Sequence, residues 1–482
     1  MIINNHSAIA YNRFIDSDFD TGVEDDGRIF TKALPSYKPV TPGSNRPMIS
    51  RSPYGYPEDS PHYEALNKQA KQGFRINKMF IDYVAAVFPK ACAERALWQE
   101  AIERTFIALW RKKGEVIYSD TFFDWRGRVY QMSGEWGSLQ NNRLSRAALS
   151  SPERYKVTEK AFQYMKAVFQ HEGWPTTVEE ATKFVEKPQF DGNGAIDWMA
   201  IRAALTILEI NRDGMTDYLL EQDATCSGFQ HMALLMRDIS LAKEVNVALS
   251  STSGDLYMLV AEEGNIADLL FEGNKRKARQ FAKAIVMLTG YGSGASGIAC
   301  KYWLDEGGSG EIEEDLFIPD EEVTIFLGNK EFTYAELKTF VKERQELLLS
   351  KFPSIKILRN RCIDYYSECM NADPSAFIWT TPDGFQAVRL ISTTEQEANM
   401  VGAAGAMPNL IHSLDAAIVR YVIIHWNKVL GVVHDAFFTT INDALELREL
   451  VKEAYRNVHE NLGEFPIQET GNLPEIGRCI GV

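Results

Sequence analysis

A chain of 482 residues, 45% hydrophobic and 11% aromatic, can bury a large core in two or three subdomains, which excludes an intrinsically disordered protein. Its 66 acidic against 51 basic residues leave a net charge of −15, which excludes nonspecific coating of DNA but allows a local basic cleft in an acidic shell. No run is apolar enough to cross a bilayer, MIINNHSAIAYNRF lacks a secretion signal's pattern, and the six cysteines have no C-x-x-C or zinc spacing, so reduced thiols in a cytoplasmic protein are expected.

Residues 1–65 read as an extended amino-terminal arm that orders on a partner, because seven of the eighteen prolines fall between Pro35 and Pro61 among Ser, Gly and Asn. From Tyr63 to Lys113 apolar positions such as Phe80, Val84 and Val87 recur at three and four, which predicts helix. Asp120 to Met132 is short and mixed. Helices are predicted over 153–171, 177–187 and 196–211, with Thr176 and Glu179 as a capping box for the second. Leu219 to Thr225 is strand-like and leads into a helix through Ser227 and Gly228. Helix dominates 254–291 and 334–371. Between them, Asp305 to Glu322 holds nine acids, no base and three glycines, the pattern of an exposed acidic loop that repels nucleic acid. Pro382-Asp383-Gly384 predicts a hairpin of Ala376–Thr381 with Phe385–Ile391. A helix over 408–428, two short strands within Leu430–Ile441 meeting near His434 and Asp435, and a helix over 444–462 complete the chain, which has no internal repeat.

The helical stretch KRKARQFAKAIVMLTGYGSG, Lys275 to Gly294, places Arg279, Lys283 and Tyr291 at spacings of four and eight. Residues four apart share a helix face, so the three span roughly 18 Å along a shallow spiral. Two cations and an aromatic over that length suit a ligand with a polyanionic end and a sugar or base end, such as a nucleoside triphosphate. By itself the spacing equally describes a solvated helix face, and Tyr291-Gly292 a helix stop. Two aspartates stand out by context: Asp223 ends an apolar stretch and opens DATCSGFQH, and Asp435 lies in VVHDAFF. An aspartate among β-branched and aromatic residues is costly unless paired or bound to a metal. If a fold joins the two across 212 residues of sequence, they can hold two Mg²⁺ ions about 3.5–4 Å apart. Taken singly, Asp223 reads as well as a helix N-cap and Asp435 as a hairpin-turn aspartate.

In order along the chain, DWRGRVY (Asp124–Tyr130), DATCSGFQH (Asp223–His231), Arg279 to Gly292, PNLIHSLD (Pro408–Asp415) and His434-Asp435 resemble the signatures of the single-subunit RNA polymerases of phages and mitochondria. LNKQAKQGFRINK, from Leu66 to Lys78, resembles the segment just before that family's thumb. The resemblance implies a mostly helical α+β right-hand polymerase with palm, fingers and a reduced thumb, lacking the large amino-terminal promoter domain. The implied division is an arm over 1–65, a reduced thumb over 66–120, palm over 121–240, fingers over 241–406 and palm again over 407–482. It also implies that Asp223, Asp435 and the Ala224 carbonyl hold Mg²⁺. Arg279 and Lys283 would hold the triphosphate, Lys283 would assist the leaving pyrophosphate, and Tyr291, with Gly292 and His412 beside it, would sense the ribose. Arg126 and Arg128 would touch the template–product hybrid. Met287 and His231 read as structural.

The related DNA polymerases carry a glutamate under the sugar five residues after the first aspartate, where this chain has Gly228, so ribonucleotides are the expected substrates. Only about 120 residues precede DWRGRVY, and Val388 to Ala406 lacks the family's long promoter-reading hairpin, with Arg389 its one base. The carboxyl end, Cys479 to Val482, lacks the aromatic foot common in the family. These departures make the chain most similar to the larger, catalytic subunit of a divided phage RNA polymerase in a phage-infected bacterial host. A smaller protein would supply the amino-terminal part, a single-stranded DNA-binding protein would bring it to promoters, and no membrane is involved. A primase-like nucleotidyltransferase and a catalytically silent polymerase-fold binding subunit are the alternatives.

Overall fold

The computed structural model describes residues 19–23, 29–33, 60–92, 100–132, 137–187, 196–313, 316–320, 322–391, 401–469 and 471–481. They are mostly helical, with antiparallel sheets of two or three strands, so the fold is α+β as expected. Of the expected arm, the described parts are a hairpin pairing Phe19–Val23 with Ile29–Ala33 and the start of a helix, Pro61–Ala70; the rest lies outside the described residues. Among the described residues no helix is long and apolar enough to cross a membrane. The chain forms two compact units, one from Met1–Ala224, Ile418–Ala454 and Ile480–Val482, the other from Thr225–Ala417 and Tyr455–Cys479.

In the first unit, the helix Trp198–Asp213 is buried along most of its length because Ala200, Ala203 and Ala204 let neighbours approach. Asp197 caps its start by accepting from the Ala200 N–H, and Gly214 ends it at φ +72°. Phe80, Leu109, Leu144 and Phe438 pack on one side of it, and Met165, Phe169, Leu220 and Ile441 on the other. Arg202, fully buried on this helix, donates to Asp217 Oδ1 at 2.5 Å, and Asn77 Nδ2 donates to both Asp217 oxygens, so that buried charge is paired and bonded.

The helical reading of 63–113 is interrupted by the strand Phe74–Ile76, which pairs with Val116–Ile117 and Leu149–Ser150. Gly73 introduces the break, since a Cβ there would lie 2.7 Å from the Tyr118 ring. The mixed stretch Asp120–Met132 is a hairpin of Asp120–Phe123 with Val129–Met132. The expected capping box sits one residue later, on Thr177 and Glu180.

A three-stranded sheet forms from β1 (Leu219–Gln222), β2 (Gly431–Val433) and β3 (Ala436–Thr440), with β3 in the middle and wholly buried. The register runs from Leu219↔Thr440 to Gln222↔Phe437, and from Gly431↔Phe438 to Val433↔Ala436. Gly431 lets Leu139 cover the sheet, because a Cβ there would stand 2.1 Å from Leu139 Cδ1.

The second unit is built on helices, among them α1 (Ser227–Leu235), α2 (Leu256–Glu263), α3 (Lys275–Gly290) and the start of α4 (Val401–His425). Ala278, Phe281, Ala282, Ile285 and Val286 form the buried face of α3, and Phe281 stacks on Tyr302 at 4.5 Å beside the fully buried Trp303. The predicted helix over 254–291 is three helices, broken where Asn265 takes φ +50° and Gly273 φ +83°. The acidic segment is not a loop: Gly310–Glu313 pairs with Leu316–Pro319 in a hairpin, while residues 314, 315 and 321 lie outside the described set. The hairpin of Ala376–Thr380 with Gln386–Leu390 forms as expected. Residues 392–400 of the shortened Val388–Ala406 stretch are outside the described set, and α4 begins seven residues before Pro408, which therefore lies inside the helix.

Candidate active site

In the first unit, Asp223 directly follows β1 and is exposed. It does not cap α1, whose N-cap is Cys226 with no side-chain cap bond. Asp435 occupies the two-residue turn between β2 and β3, so the turn reading describes its backbone. Both aspartates keep contact with solvent, and the expectation of a costly buried charge does not hold at either. The sheet brings them to one end. The β1–β3 pairing ends at Gln222↔Phe437, so Asp223, the residue after β1, and Asp435, the residue before β3, lie at the same end of the sheet. Beyond it Ala224 bridges to Ile480, and the Gly481 N–H donates to the Asp223 carbonyl at 3.1 Å. The aspartates are thus joined by register rather than by sequence.

The turn is held in an uncommon shape. His434 takes φ +56°, a left-handed conformation that costs a non-glycine residue on the order of 1–2 kcal/mol. Tyr130 meets the His434 ring edge-on at 5.6 Å and itself stacks on Phe122 at 5.7 Å. Gln140 Nε2 donates to Val129 O at 2.8 Å and to Val432 O at 3.2 Å, tying the DWRGRVY hairpin to β2. Burial on β1 pushes the Glu221 carboxyl up, Arg146 at 3.1 Å opposes that, and the charge of Asp435 adds to it.

Among the described residues no group of three or more His, Cys, Asp or Glu could hold a metal. Two carboxylates, a backbone carbonyl, water and substrate phosphates suffice for Mg²⁺, which keeps several waters and seldom takes an all-protein cage. The donor set of Asp223, Asp435 and the Ala224 carbonyl fits that ion. The arginines of DWRGRVY are partly committed: Arg126 donates through Nε and Nη2 to Asp124 Oδ2 at 2.9 and 2.8 Å, and the Arg128 N–H donates to Asp124 Oδ1. Gly127 O accepts from the fully buried Arg420, which fixes this turn.

In the second unit, Lys283 and Tyr291 are exposed and Arg279 partly so, on the side of α3 away from its apolar face. The sequence reading missed what lies beneath them. Tyr257, buried on α2, has its ring 5.2 Å from the Arg279 guanidinium and 5.6 Å from Lys283 Nζ. One aromatic face thus sets both cations, by an attraction of about 0.5–1 kcal/mol each at such sites. The Tyr257 hydroxyl lies 3.1 Å from Cys226 Sγ and 3.2 Å from Met287 Sδ, which gives Met287 a supporting place. Asp255, the N-cap of α2, holds Arg279 Nε at 2.6 Å. The available signal was an aspartate opening an apolar helix, DLYMLV.

Tyr291 and His412 come together as expected, their rings edge-to-face at 5.6 Å. Gly292 follows at φ +83° with its N–H on Thr289 O, so the helix stop alone accounts for that glycine. Gly228, on α1, is different. Its φ is not left-handed, and among the described residues outside its own helix a Cβ there would meet only Ile411 Cγ2, at 3.9 Å. Neither backbone nor packing demands a glycine at this position.

The family model described as DNA-dependent RNA polymerase matches residues 198–464, which include Asp223, α3, His412 and Asp435. A probable DNA-directed RNA polymerase of Gelasinospora sp. (strain G114) is 23% identical over 404 residues, covering 70% of this chain and 47% of that protein. The mitochondrial DNA-directed RNA polymerase of Schizosaccharomyces pombe is 24% identical, over 72% of this chain and 34% of its own length. The DNA-directed RNA polymerase of Enterobacteria phage T3 is 22% identical, over 73% of this chain and 49% of its own. The chain thus spans half or less of these relatives' length. With more than half of its residues inside the family match, this chain belongs to the single-subunit, phage- and mitochondrial-type DNA-dependent RNA polymerase family.

Proposed function

We propose that this chain is the catalytic subunit of a DNA-directed RNA polymerase, adding ribonucleotides to an RNA 3′ end on a DNA template. The observation that carries the reading is the sheet register that sets Asp223 and Asp435 at one end of β1 and β3. In the reaction, the RNA 3′-oxygen bonds to the α-phosphorus of the incoming nucleotide, the bond from that phosphorus to the bridging oxygen breaks, and pyrophosphate leaves. Asp223, Asp435 and the Ala224 carbonyl would hold Mg²⁺. When bound, two such ions lower the pKa of the attacking hydroxyl and neutralise charge on the leaving group. Arg279 and Lys283, aligned over Tyr257, hold the triphosphate, and Lys283 stabilises the departing pyrophosphate. Tyr291, with His412 at its edge, reads the ribose, and the space at Gly228 accommodates its 2′-hydroxyl. Arg126 and Arg128 lie along the hybrid, held by Asp124.

In the polymerase description, residues 121–240 and 407–482 form palm, 241–406 fingers and 66–120 a reduced thumb. A smaller subunit supplies the promoter-binding part, a single-stranded DNA-binding protein assists at promoters, and the complex works in the cytoplasm of an infected cell. The test offers the purified chain an RNA primer annealed to template DNA, with Mg²⁺ and rNTPs. Template-directed extension supports the reading, while short or template-independent products favour a primase-like enzyme. Specific initiation by the lone chain on duplex promoter DNA would overturn the need for a partner. Tyr291→Phe, which keeps the ring and removes the hydroxyl, should reduce the rNTP/dNTP preference by about tenfold with dNTP addition intact, because a lost hydrogen bond is worth about 1 kcal/mol or somewhat more. Unchanged selectivity in competition assays would remove Tyr291 from that role.

A further inference from the structure

Three buried side chains from three separate segments of the second unit form a hydrogen-bonded row. His231 Nε2 lies 2.9 Å from Asp415 Oδ1, and His231 Nδ1 lies 2.8 Å from His459 Nε2. Both histidines are fully inaccessible and Asp415 nearly so. The protons can be ordered. Asp415, as a carboxylate, only accepts, so His231 Nε2 carries hydrogen. Burial holds the His459 pKa well below 6.5, so that ring is neutral. Among the described residues His459 Nδ1 has no hydrogen-bond partner, which suits a bare nitrogen better than an N–H. His459 Nε2–H then donates to His231 Nδ1, and His231 Nε2–H to Asp415.

This row meets the ribose-reading rings through α1. Phe229 packs against Gly290, the residue before Tyr291, so closely that a Cβ at Gly290 would lie 2.7 Å from its ring. Gly228 faces Ile411, the residue before His412. His231 bonds Asp415, three residues after His412 and near it on the same helix face. One helix therefore abuts the neighbours of both rings. Trp379 Nε1 adds a bond to Ser413 Oγ at 2.8 Å. The far end is also anchored: Tyr455 stacks on His231 at 5.2 Å and donates to Gln230 Oε1 at 2.8 Å, while Gln230 Nε2 donates to Cys479 O at 2.8 Å. Apolar packing is non-directional and would let α4 turn about its axis. A hydrogen bond to a buried carboxylate is directional and does not.

We propose that the row His459–His231–Asp415 is the positioning device for the Tyr291–His412 pair, fixing the rotation of α4 against α1 and thereby the enzyme's preference for ribose. His231 and His459 act through His412 and touch no substrate. This inference rests on the polymerase reading above. The mere-packing alternative predicts that disrupting the row lowers stability and leaves sugar preference alone.

The test compares His459→Gln, whose amide can still donate to His231, with His459→Leu, which cannot. His459→Asn, polar but too short to reach, is the second disruption should the leucine variant fail to fold. Two quantities are read on the full chain: kcat/KM for ATP against dATP in primer extension, and equilibrium binding of ATP against dATP without primer. For folded His459→Leu or His459→Asn, the ribo/deoxy ratio should fall about tenfold through a raised KM for ATP, with dATP unaffected, the scale expected of a small misplacement. His459→Gln should keep the wild-type ratio. A wild-type ratio in a folded disrupted variant, or equal loss in His459→Gln, overturns the proposal. If the wild-type chain neither extends a primer nor distinguishes ATP from dATP, the polymerase reading itself fails. A wild-type chain that discriminates, with variants that discriminate equally, refutes only the row's role.

Discussion

Replacing Asp435 with asparagine should lower nucleotide addition on the order of a thousandfold or more while leaving the protein folded. The side chain sits at a turn in contact with solvent, so the change opens no buried cavity. On the proposed reading, it removes one of two anionic ligands for Mg²⁺. Metal stabilisation of a phosphoryl transition state is worth several kcal/mol, and each 1.4 kcal/mol is about tenfold. The checks are single-nucleotide extension at saturating Mg²⁺ and a thermal melt of the same preparation. A folded variant extending at the wild-type rate would refute the metal assignment. A variant that has lost its melting transition would show instead that the aspartate maintains the turn in which His434 adopts φ +56°.

The sequence made some of this site legible and hid the rest for identifiable reasons. The basic face of α3 was readable because helix spacing is local: Arg279, Lys283 and the buried Ala278, Phe281 and Ile285 follow from a 3.6-residue period. The β2–β3 hairpin was readable from its β-branched and aromatic runs around His434-Asp435. Tyr257 was not, because its contact with both cations depends on how α2 crosses α3. That crossing followed from breaks at Asn265 and Gly273, which were read through as one helix. The strand Phe74–Ile76 was too short for a period-2 pattern to register, and only its partners, about 40 and 75 residues away, define it. The acidic segment was judged by charge and glycine, yet its Phe317 and Ile318 supply the strand chemistry that pairs it. Histidines 231 and 459 show the limit most plainly. They are 228 residues apart, and nothing in either local sequence marks them as neighbours.

Gly228 offers the sharpest separation of function from stability. At Gly228 a Cβ has room: among the described residues outside its own helix, only Ile411 Cγ2 lies within 4 Å, at 3.9 Å. Gly228→Glu should therefore stabilise α1: leaving glycine in a helix costs about 0.5–1 kcal/mol relative to a better former, and an acid in the first turn interacts favourably with the helix dipole. If the space above Gly228 is where the 2′-hydroxyl fits, the same change should act oppositely on the reaction. Ribonucleotide addition should fall by on the order of 100-fold relative to deoxynucleotide addition, a scale comparable to what pocket shape alone achieves against an added hydroxyl. Gly228→Ala, which fills only the first part of the space, should gain the helix stability with a smaller loss of ribose preference. The reading would be sunk by a glutamate variant that melts at or above the wild-type temperature and still incorporates ATP and dATP in the wild-type ratio. The glycine would then be neither a structural requirement nor a sugar gate. The predicted pattern, a more stable protein that has lost its preference for ribose, is hard to produce by damage to the fold, because damage lowers both quantities together.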